Sequence, residues 1–394
     1  MATATIINAQ LVRTKCVEGG MSIEMQDGLI SDVYRTGTKR PIGEVHDACG
    51  QYVSAGFIDI HSHGGGNGDY NDGTYDSFEK ALSQHMKHGA TAICPTLCAA
   101  ALEELAEAKN VYEVIEPRGG VSLPTMLGFH LEGPFIAPAM IGALHPNYIK
   151  LPTEELVDAH IAALGGHLRI WTIAPELPGA LALAPKLREQ GILLSAGHTD
   201  AYYNDMVAAI EAGFTMATHL YSAMSPFTRM DGRRVPGAIE STMILDGLMA
   251  EIIADGHHLP PTLLKLIVRA KGIDNLILVT DAMRAAGMPP GEYVLGSLKD
   301  GSLVPVDEDI ARTADRKSFA GSIATTDRLV RVMRDQAGVA LHDAVRMLTV
   351  NPARALGVEA RKGTIAVGMD ADIVMFDEDI RIQNVWVCGH HTVG

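Results

Sequence analysis

Gly56-Phe57-Ile58-Asp59-Ile60-His61-Ser62-His63-Gly64-Gly65-Gly66-Asn67-Gly68-Asp69 is the stretch that decides the fold. Phe57, Ile58 and Ile60 read as a buried strand, and a turn signal follows at once. Residues i and i+2 of an extended chain point the same way, so His61 and His63 offer two imidazoles to one point just past the strand. The three glycines behind them let the backbone come close and turn sharply. Two neutral imidazoles converging at a strand end suit a borderline metal such as Zn²⁺. In isolation, a pair of loop histidines explains the motif as well, so the rest of the chain must decide.

From residue 54, apolar strand-like runs alternate with segments of helical period. The strands are Ala55–Ile60, Thr91–Thr96, Thr125–Leu131, Leu168–Ala174, Ile192–Ala196, Thr215–Leu220, Leu248–Ala254 and Asn275–Thr280. Helices fit Ser77–His88, Ala101–Glu116, Glu154–Leu164, Gly179–Gln190, Tyr202–Ala212 and Pro261–Lys271, and then Ser322–Ala337 and His342–Thr349. Such alternation implies parallel strands covered by helices, and eight repeats imply a closed barrel. Residues 1 to about 53 and those after Asn351-Pro352-Ala353 read as short strands, with Gln26-Asp27-Gly28 as a hairpin signal. Too few strands lie at either end for a stable sheet alone. The expected class is α/β: a (β/α)8 TIM barrel over 54–352, with a small β-sandwich domain formed by both termini, 1–53 together with 353–394.

The formal net charge of −15 makes nucleic acid and anionic membrane poor partners. No apolar run reaches the ~20 residues of a membrane span, and the N-terminus lacks the regions of a signal peptide. Five scattered cysteines form no disulfide framework, which points to a reducing compartment and a cytoplasmic protein. Cys94 and Cys98 read as strand-end packing.

Functional residues of such a barrel collect at the carboxyl ends of its strands. Six of the eight strands deliver His, Glu or Asp there: His61 and His63, Glu132, His198, His219, Asp255 with His257 and His258, and Asp281. The cluster has the residue types of a catalytic metal site. Glu132 has two oxygens and can bridge two cations ~3.5–4 Å apart. His61 and His63 would complete one position, and His198 and His219 the other. Asp281 is placed to take a proton from water and deliver it to a leaving amine. Together these make a hydrolase for amides or similar bonds. Blander readings remain open: Glu132 paired with an arginine, His198 and His219 as satisfied core histidines, Asp281 as a helix cap.

A second group is expected to hold substrate: His145 in the loop after the third strand, His257 and His258 after the seventh, and Arg229, Arg233 and Arg234 after the sixth. Guanidinium forks suit a phosphate or carboxylate, although a solvated charged loop also accounts for them. His130 reads as a structural residue near the site. His85, His88, His160 and His167 read as solvated, and His390 and His391 as surface residues.

The set Gly56-Phe-Ile-Asp-Ile-His-Ser-His63, His130-Leu-Glu-Gly-Pro134, Gly197-His-Thr199, Thr218-His-Leu-Tyr-Ser-Ala-Met224, Ala254-Asp-Gly-His-His258 and Val279-Thr-Asp281 resembles the N-acetylglucosamine-6-phosphate deacetylase family of the amidohydrolase superfamily. The resemblance covers nearly the whole chain. It implies a divalent metal, commonly zinc, held by Glu132, His198 and His219, with a second position at His61 and His63. It implies Asp281 as catalytic acid and base, His145 and His258 as substrate contacts, and Arg234 as the phosphate-binding arginine. It also implies a dimer in which that arginine and the histidine matching His258 can reach the neighbouring subunit's site. One departure bears on the substrate. Where the family has Asn-Ala-Met after the sixth-strand histidine, this chain has Ser222-Ala223-Met224, and a hydroxyl replaces the amide that contacts the phosphate end. His257 also stands where an apolar residue is common.

The expected activity is metal-dependent removal of the N-acetyl group from an amino-sugar 6-phosphate. His145 aids the metal at the oxyanion, Ser222, Ala223, Arg234, His257 and His258 hold the sugar phosphate, and the active form is a homodimer. Two alternatives stand beside it. One is a related amidohydrolase acting on a different N-acyl amino sugar, N-acyl amino acid or cyclic amide. The other is a non-catalytic sugar-binding protein, which would not need Asp281.

Overall fold

The structure, a computed structural model, describes residues 3–394. Eight parallel strands form the barrel: β1 (Phe57–Ser62), β2 (Ala90–Cys98), β3 (Phe129–Glu132), β4 (Leu168–Ile173), β5 (Leu193–Ala196), β6 (Met216–Ala217), β7 (Met249–Ile252) and β8 (Leu276–Leu278). β1 and β2 are buried along their whole length, as strands between a filled barrel interior and a helical layer must be. The ring closes beyond the last regular pair. The Asp281 amide donates to the His61 carbonyl at 2.8 Å, and the His63 amide to the Ala282 carbonyl at 2.8 Å. Closure therefore runs through the residues expected to do the chemistry.

The helices cover the barrel as their apolar stripes dictate. In Tyr75–Lys87, capped by the Thr74 side chain, Phe78, Ala81, Leu82, His85 and Met86 face inward. This corrects the reading of His85 as solvated. It is 1% exposed, and its Nε2 lies 2.7 Å from Ser62 Oγ and 3.0 Å from the Gly64 carbonyl oxygen. His160 is also buried, on the inner face of Glu154–Leu164 against Phe135 and Trp171. Trp171 on β4 donates Nε1–H to the Gly133 carbonyl at 2.8 Å and stacks on Phe135, which fixes the chain as it leaves Glu132. Truncating so large a buried side chain costs about 3–5 kcal/mol.

Both termini build one further sheet of eight strands. Its path runs His390–Val393, Ile382–Val387, Ile373–Phe376, Tyr52–Ala55, Thr3–Val12, Val17–Gln26 and Leu29–Arg35, with Glu44–Asp47 beside Thr3–Val12. The Asp27-Gly28 turn has both residues at positive φ, the conformation a two-residue hairpin requires. Ile6, Leu11, Ile23, Val53, Ile373 and Trp386 form the sheet's own core. Gly56 alone separates this sheet from β1, and a Cβ there would meet Thr91 Oγ1 at 2.1 Å.

Three segments differ from expectation. The third strand is broken at Leu127-Gly128, so Thr125–Met126 and Phe129–Glu132 both pair with β2. The arginine loop is a hairpin, Thr228–Met230 with Arg233–Val235. The stretch after β8 folds into a small sheet of Gly291–Leu295, Ser302–Asp307 and Ile310–Ala311, whose apolar side packs on Cys98, Ile136, Leu144 and Met283. Among the described residues, no helix is long and apolar enough to cross a membrane.

Candidate active site

Six strand-end residues meet at the carboxyl end of the barrel. His198 Nε2 lies 3.0 Å and His219 Nε2 2.9 Å from Glu132 Oε1, and the two ring nitrogens are 3.2 Å apart. The other carboxylate oxygen faces the first strand, with His63 Nε2 at 3.3 Å from Glu132 Oε2. Asp281 Oδ1 is 3.2 Å from His63 Nε2 and 3.4 Å from His61 Nε2. Among the described residues four donor sets have ligand atoms within 4.8 Å of one another, Glu132/His198/His219, His61/His63/Asp281, His63/Cys98/Glu132 and His61/His130/Glu251, and the first two face the open end of the barrel. All six strand-end residues are buried.

The backbone is bent to achieve this. His198, His219 and Asp281 have φ of 48°, 30° and 48°, the left-handed region that side chains other than glycine seldom occupy. His198 and His219 lie two residues, and Asp281 three, past the end of their strands, so the chain turns while the side chain still points inward. The glycines after His63 act by close approach, since a Cβ on Gly64 would lie 2.1 Å from the Gly68 carbonyl oxygen.

The ring orientations suit a divalent cation. His198 Nδ1–H donates to the Met140 carbonyl at 2.7 Å, which leaves Nε2 as the lone-pair nitrogen facing Glu132. His61 Nδ1–H donates to Glu251 Oε2 at 3.0 Å, and His61 Nε2 points into the site with no hydrogen-bond partner. Glu132, Asp281 and Glu251 are buried together, and among the described residues their ion-pair partners are imidazoles alone. Buried carboxylates without Lys or Arg, facing lone-pair nitrogens, form the donor set of a metal.

Burial works against ionisation of Glu132, but the imidazoles of His198, His219 and His63 outweigh it and hold this carboxyl well below the usual range. Asp281 is likewise lowered, with burial opposed by His61 and His63. Asp59, buried on β1 with Thr280 Oγ1–H donating to Oδ2 at 2.6 Å, is pushed up to about 6 by burial.

A cavity of about 460 Å³ opens above the cluster, lined by His63, Glu132, His198, His219, Asp281, Ser222, Ala223 and His258 among others. His258 is steadied by Asp255, whose Oδ2 is 2.8 Å from its Nδ1. His145, Arg234 and His257 are not brought to this cavity. His145 caps the turn Pro146–Tyr148 through Nδ1. Arg234 sits exposed on its hairpin, and His257 lines a separate hollow with Arg328 and Arg331.

Sequence reasoning missed several residues that surround the site. Tyr221, Leu144, Leu295, Lys317 and Phe319 line the cavity, and the Phe319 ring lies 4.3 Å from that of His258. Cys98 Sγ is 3.4 Å from His63 Nδ1. Glu251, on β7, touches both His61 and the backbone of His219. His130, already read as a structural residue near the site, has its Nε2 2.7 Å from Thr172 Oγ1 and its ring 4.5 Å from that of His61.

Comparison with known proteins gives concordant relatives. The model of the amidohydrolase family matches residues 52–391. The chain is 33% identical over 389 residues to the N-acetylglucosamine-6-phosphate deacetylase of Lysinibacillus sphaericus, covering 98% of this chain and 96% of that protein. It is 32% identical over 334 residues to an N-acetylgalactosamine-6-phosphate deacetylase of Escherichia coli, covering 84% and 85%. Among solved structures, N-acetyl-D-glucosamine-6-phosphate deacetylase from Mycobacterium smegmatis, in complex with N-acetyl-D-glucosamine-6-phosphate, matches with a TM-score of 0.91 at 30% identity over 100% of both chains. The Pasteurella multocida N-acetylglucosamine-6-phosphate deacetylase matches at 0.92 and 27% identity, again over 100% of both.

Proposed function

The chain belongs to the amidohydrolase family, and on that premise we propose that it is a metal-dependent deacetylase of an amino-sugar 6-phosphate. It takes N-acetylglucosamine 6-phosphate and water to glucosamine 6-phosphate and acetate. The observation that carries this reading is the convergence of Glu132, His198 and His219, with His61, His63 and Asp281 beside them, at the foot of one cavity. Glu132 with His198 and His219 would hold one divalent cation and His61 with His63 a second, and Zn²⁺ suits their mixture of nitrogen and oxygen donors. When bound, the metal supplies Lewis-acid polarisation of the acetyl carbonyl and makes water acidic enough to attack near neutral pH.

Asp281 carries the proton. Held ionised, it takes a proton from the attacking water as the oxygen bonds to the carbonyl carbon. It returns that proton to the sugar nitrogen as the C–N bond breaks, so amine and acetate leave and the carboxylate is regenerated. Phe319, Leu144 and Tyr221 wall the cavity and limit water around the reacting amide. Ser222, Ala223 and His258 contact the sugar. We assign Arg234 to the phosphate end; His145 and His257, which do not line the cavity, are given no substrate contact there. Arg234 does not line its own chain's cavity, and the family resemblance assigns it to the neighbouring protomer's site in a homodimer. Five unbridged cysteines suit a reducing compartment, the cytoplasm.

Ser222 favours a second reading at the level of the sugar. A short hydroxyl on the cavity wall contacts fewer substrate atoms than an amide would, and one relative is named for the galactosamine epimer. Acetate release from the 6-phosphates of N-acetylglucosamine and N-acetylgalactosamine, from unphosphorylated N-acetylglucosamine and from an N-acetyl amino acid tests both. The reading expects the highest kcat/KM with a sugar phosphate. Turnover of the amino acid derivative with none of either phosphate refutes it.

A further inference from the structure

We propose that Glu251 is a positioning residue that couples the two halves of the site and sets how tightly the His61/His63 half holds a divalent cation. The inference rests on the metal-dependent reading above. Glu251 is fully buried on β7 and is not among the residues lining the cavity, so it does not touch substrate. Its Oε2 is 3.0 Å from His61 Nδ1 and 3.2 Å from the backbone N of His219, and accepts a hydrogen from each. One oxygen therefore orients a side chain of the first half and anchors the backbone of the second.

Both contacts matter at their own ends. The bond from Nδ1–H selects the His61 tautomer whose Nε2 lone pair faces Asp281 and Glu132, and it stops ring rotation. His219 sits at φ 30°, a conformation that persists only where the surroundings hold it, and its N–H is held by Glu251. The other imidazole of the first half has a weaker outer partner, the Cys98 thiol at 3.4 Å from His63 Nδ1. A thiol constrains a ring less than a carboxylate does. The rigidity of the His61/His63 half thus depends chiefly on Glu251. A buried carboxylate with one oxygen unpartnered is costly, and its retention on an interior strand is explained by this task.

The test is Zn²⁺ titration of the metal-stripped full chain in competition with a chromophoric chelator, for the wild type, Glu251→Gln and Glu251→Ala. Loss of an outer partner of a metal-ligating histidine weakens metal binding by about 10–100-fold. Glu251→Ala is expected to show that loss in one zinc equivalent, with a smaller loss in any other because the His219 backbone also gives up its anchor. Glu251→Gln should fall between, because its amide oxygen still accepts from His61 while the charge is gone. Should the alanine variant fail to fold, the isosteric glutamine variant decides by the same criterion. Wild-type zinc affinity in the variant overturns the inference. So does a lower melting temperature of the metal-free chain with unchanged zinc affinity, which is what a merely structural role produces. A wild-type chain that binds no zinc refutes the metal-dependent reading itself, an outcome distinct from equal binding by wild type and variant.

Discussion

Replacing Asp281 with Asn removes one charge and one proton acceptor but keeps the side chain's shape. The backbone makes this the informative substitution. Asp281 has φ 48°, and Asn is among the few side chains that tolerate the left-handed region, whereas Ala adds about 1–2 kcal/mol of strain. The amide oxygen can still face His63 Nε2, 3.2 Å from the present carboxylate oxygen. The variant therefore isolates proton transfer. A positioned acid–base group contributes about 10²–10⁴-fold, which at about 1.4 kcal/mol per decade is about 3–6 kcal/mol of barrier. The expected result is a fall of that size in kcat for acetate release, with KM changed by less than about threefold and metal content unchanged. Steady-state kinetics and metal analysis of the same preparation read all three quantities. A kcat within about tenfold of wild type, with metal retained, removes Asp281 from the proton path. Metal lost in proportion to activity would make Asp281 a ligand first and refute the assignment in a different way.

Three further predictions address separate parts of the molecule. Arg234→Ala should lower kcat/KM for the sugar 6-phosphate by about 10–100-fold, as expected for a lost bond to a charged group, and leave the unphosphorylated sugar unaffected; equal losses with both substrates would show that Arg234 does not read the phosphate. Phe319→Ala removes the ring packed 4.3 Å from His258 and should raise KM about tenfold with little change in metal affinity; an unchanged KM would take this loop out of the binding site. Asp327, near the start of helix Thr326–Asp335, governs stability in acid. Burial opposes its charge, but His88, Thr325 and Arg331 outweigh burial and lower its folded-state pKa. A depressed carboxyl stabilises the fold fully above its unfolded pKa of about 3.9, and that contribution fades as pH falls through the folded value. Urea midpoints of the wild type and Asp327→Asn should therefore differ most near neutral pH and converge as the medium is acidified; a gap that widens in acid contradicts this account.

The chemistry was legible because it is written locally. An apolar run followed at once by His, Glu or Asp can be read without knowing which strand pairs with which, and eight apolar runs in alternation with helices, six of them ending so, imply the barrel. What failed was mostly information that only packing supplies. Nothing in Gly291–Leu295 or Ser302–Asp307 says that the segment after β8 will fold back and set Lys317 and Phe319 over the mouth. Leu127-Gly128 breaks the third strand because a Cβ at Gly128 would strike Arg169 at 2.7 Å and the φ there is +106°, a contact between distant residues. His85 is a different kind of failure. Its place in the stripe Phe78-Ala81-Leu82-His85-Met86 has the period of a buried face, so the signal was present and the polarity of histidine hid it.

Glu251 shows where the two kinds of failure meet. In Met249-Ala250-Glu251-Ile252 an acidic residue between apolar neighbours reads as the solvent side of a half-exposed strand. A barrel strand has no solvent side, so the same residue is forced inward, and once there it must be supplied with donors. His61 and the amide of His219 are those donors, and both belong to the site. The left-handed backbone of His198, His219 and Asp281 obeys the same logic. Local preference disfavours that conformation at each position, yet all three adopt it at one mouth. A chain selected for stability alone would relax such positions with glycine or a longer turn. That strained backbone falls on residues already chosen for their donor atoms, and that a buried, half-satisfied carboxylate bonds to two of the site's histidines, is thus an independent argument for the site, drawn from conformation rather than from ligand chemistry.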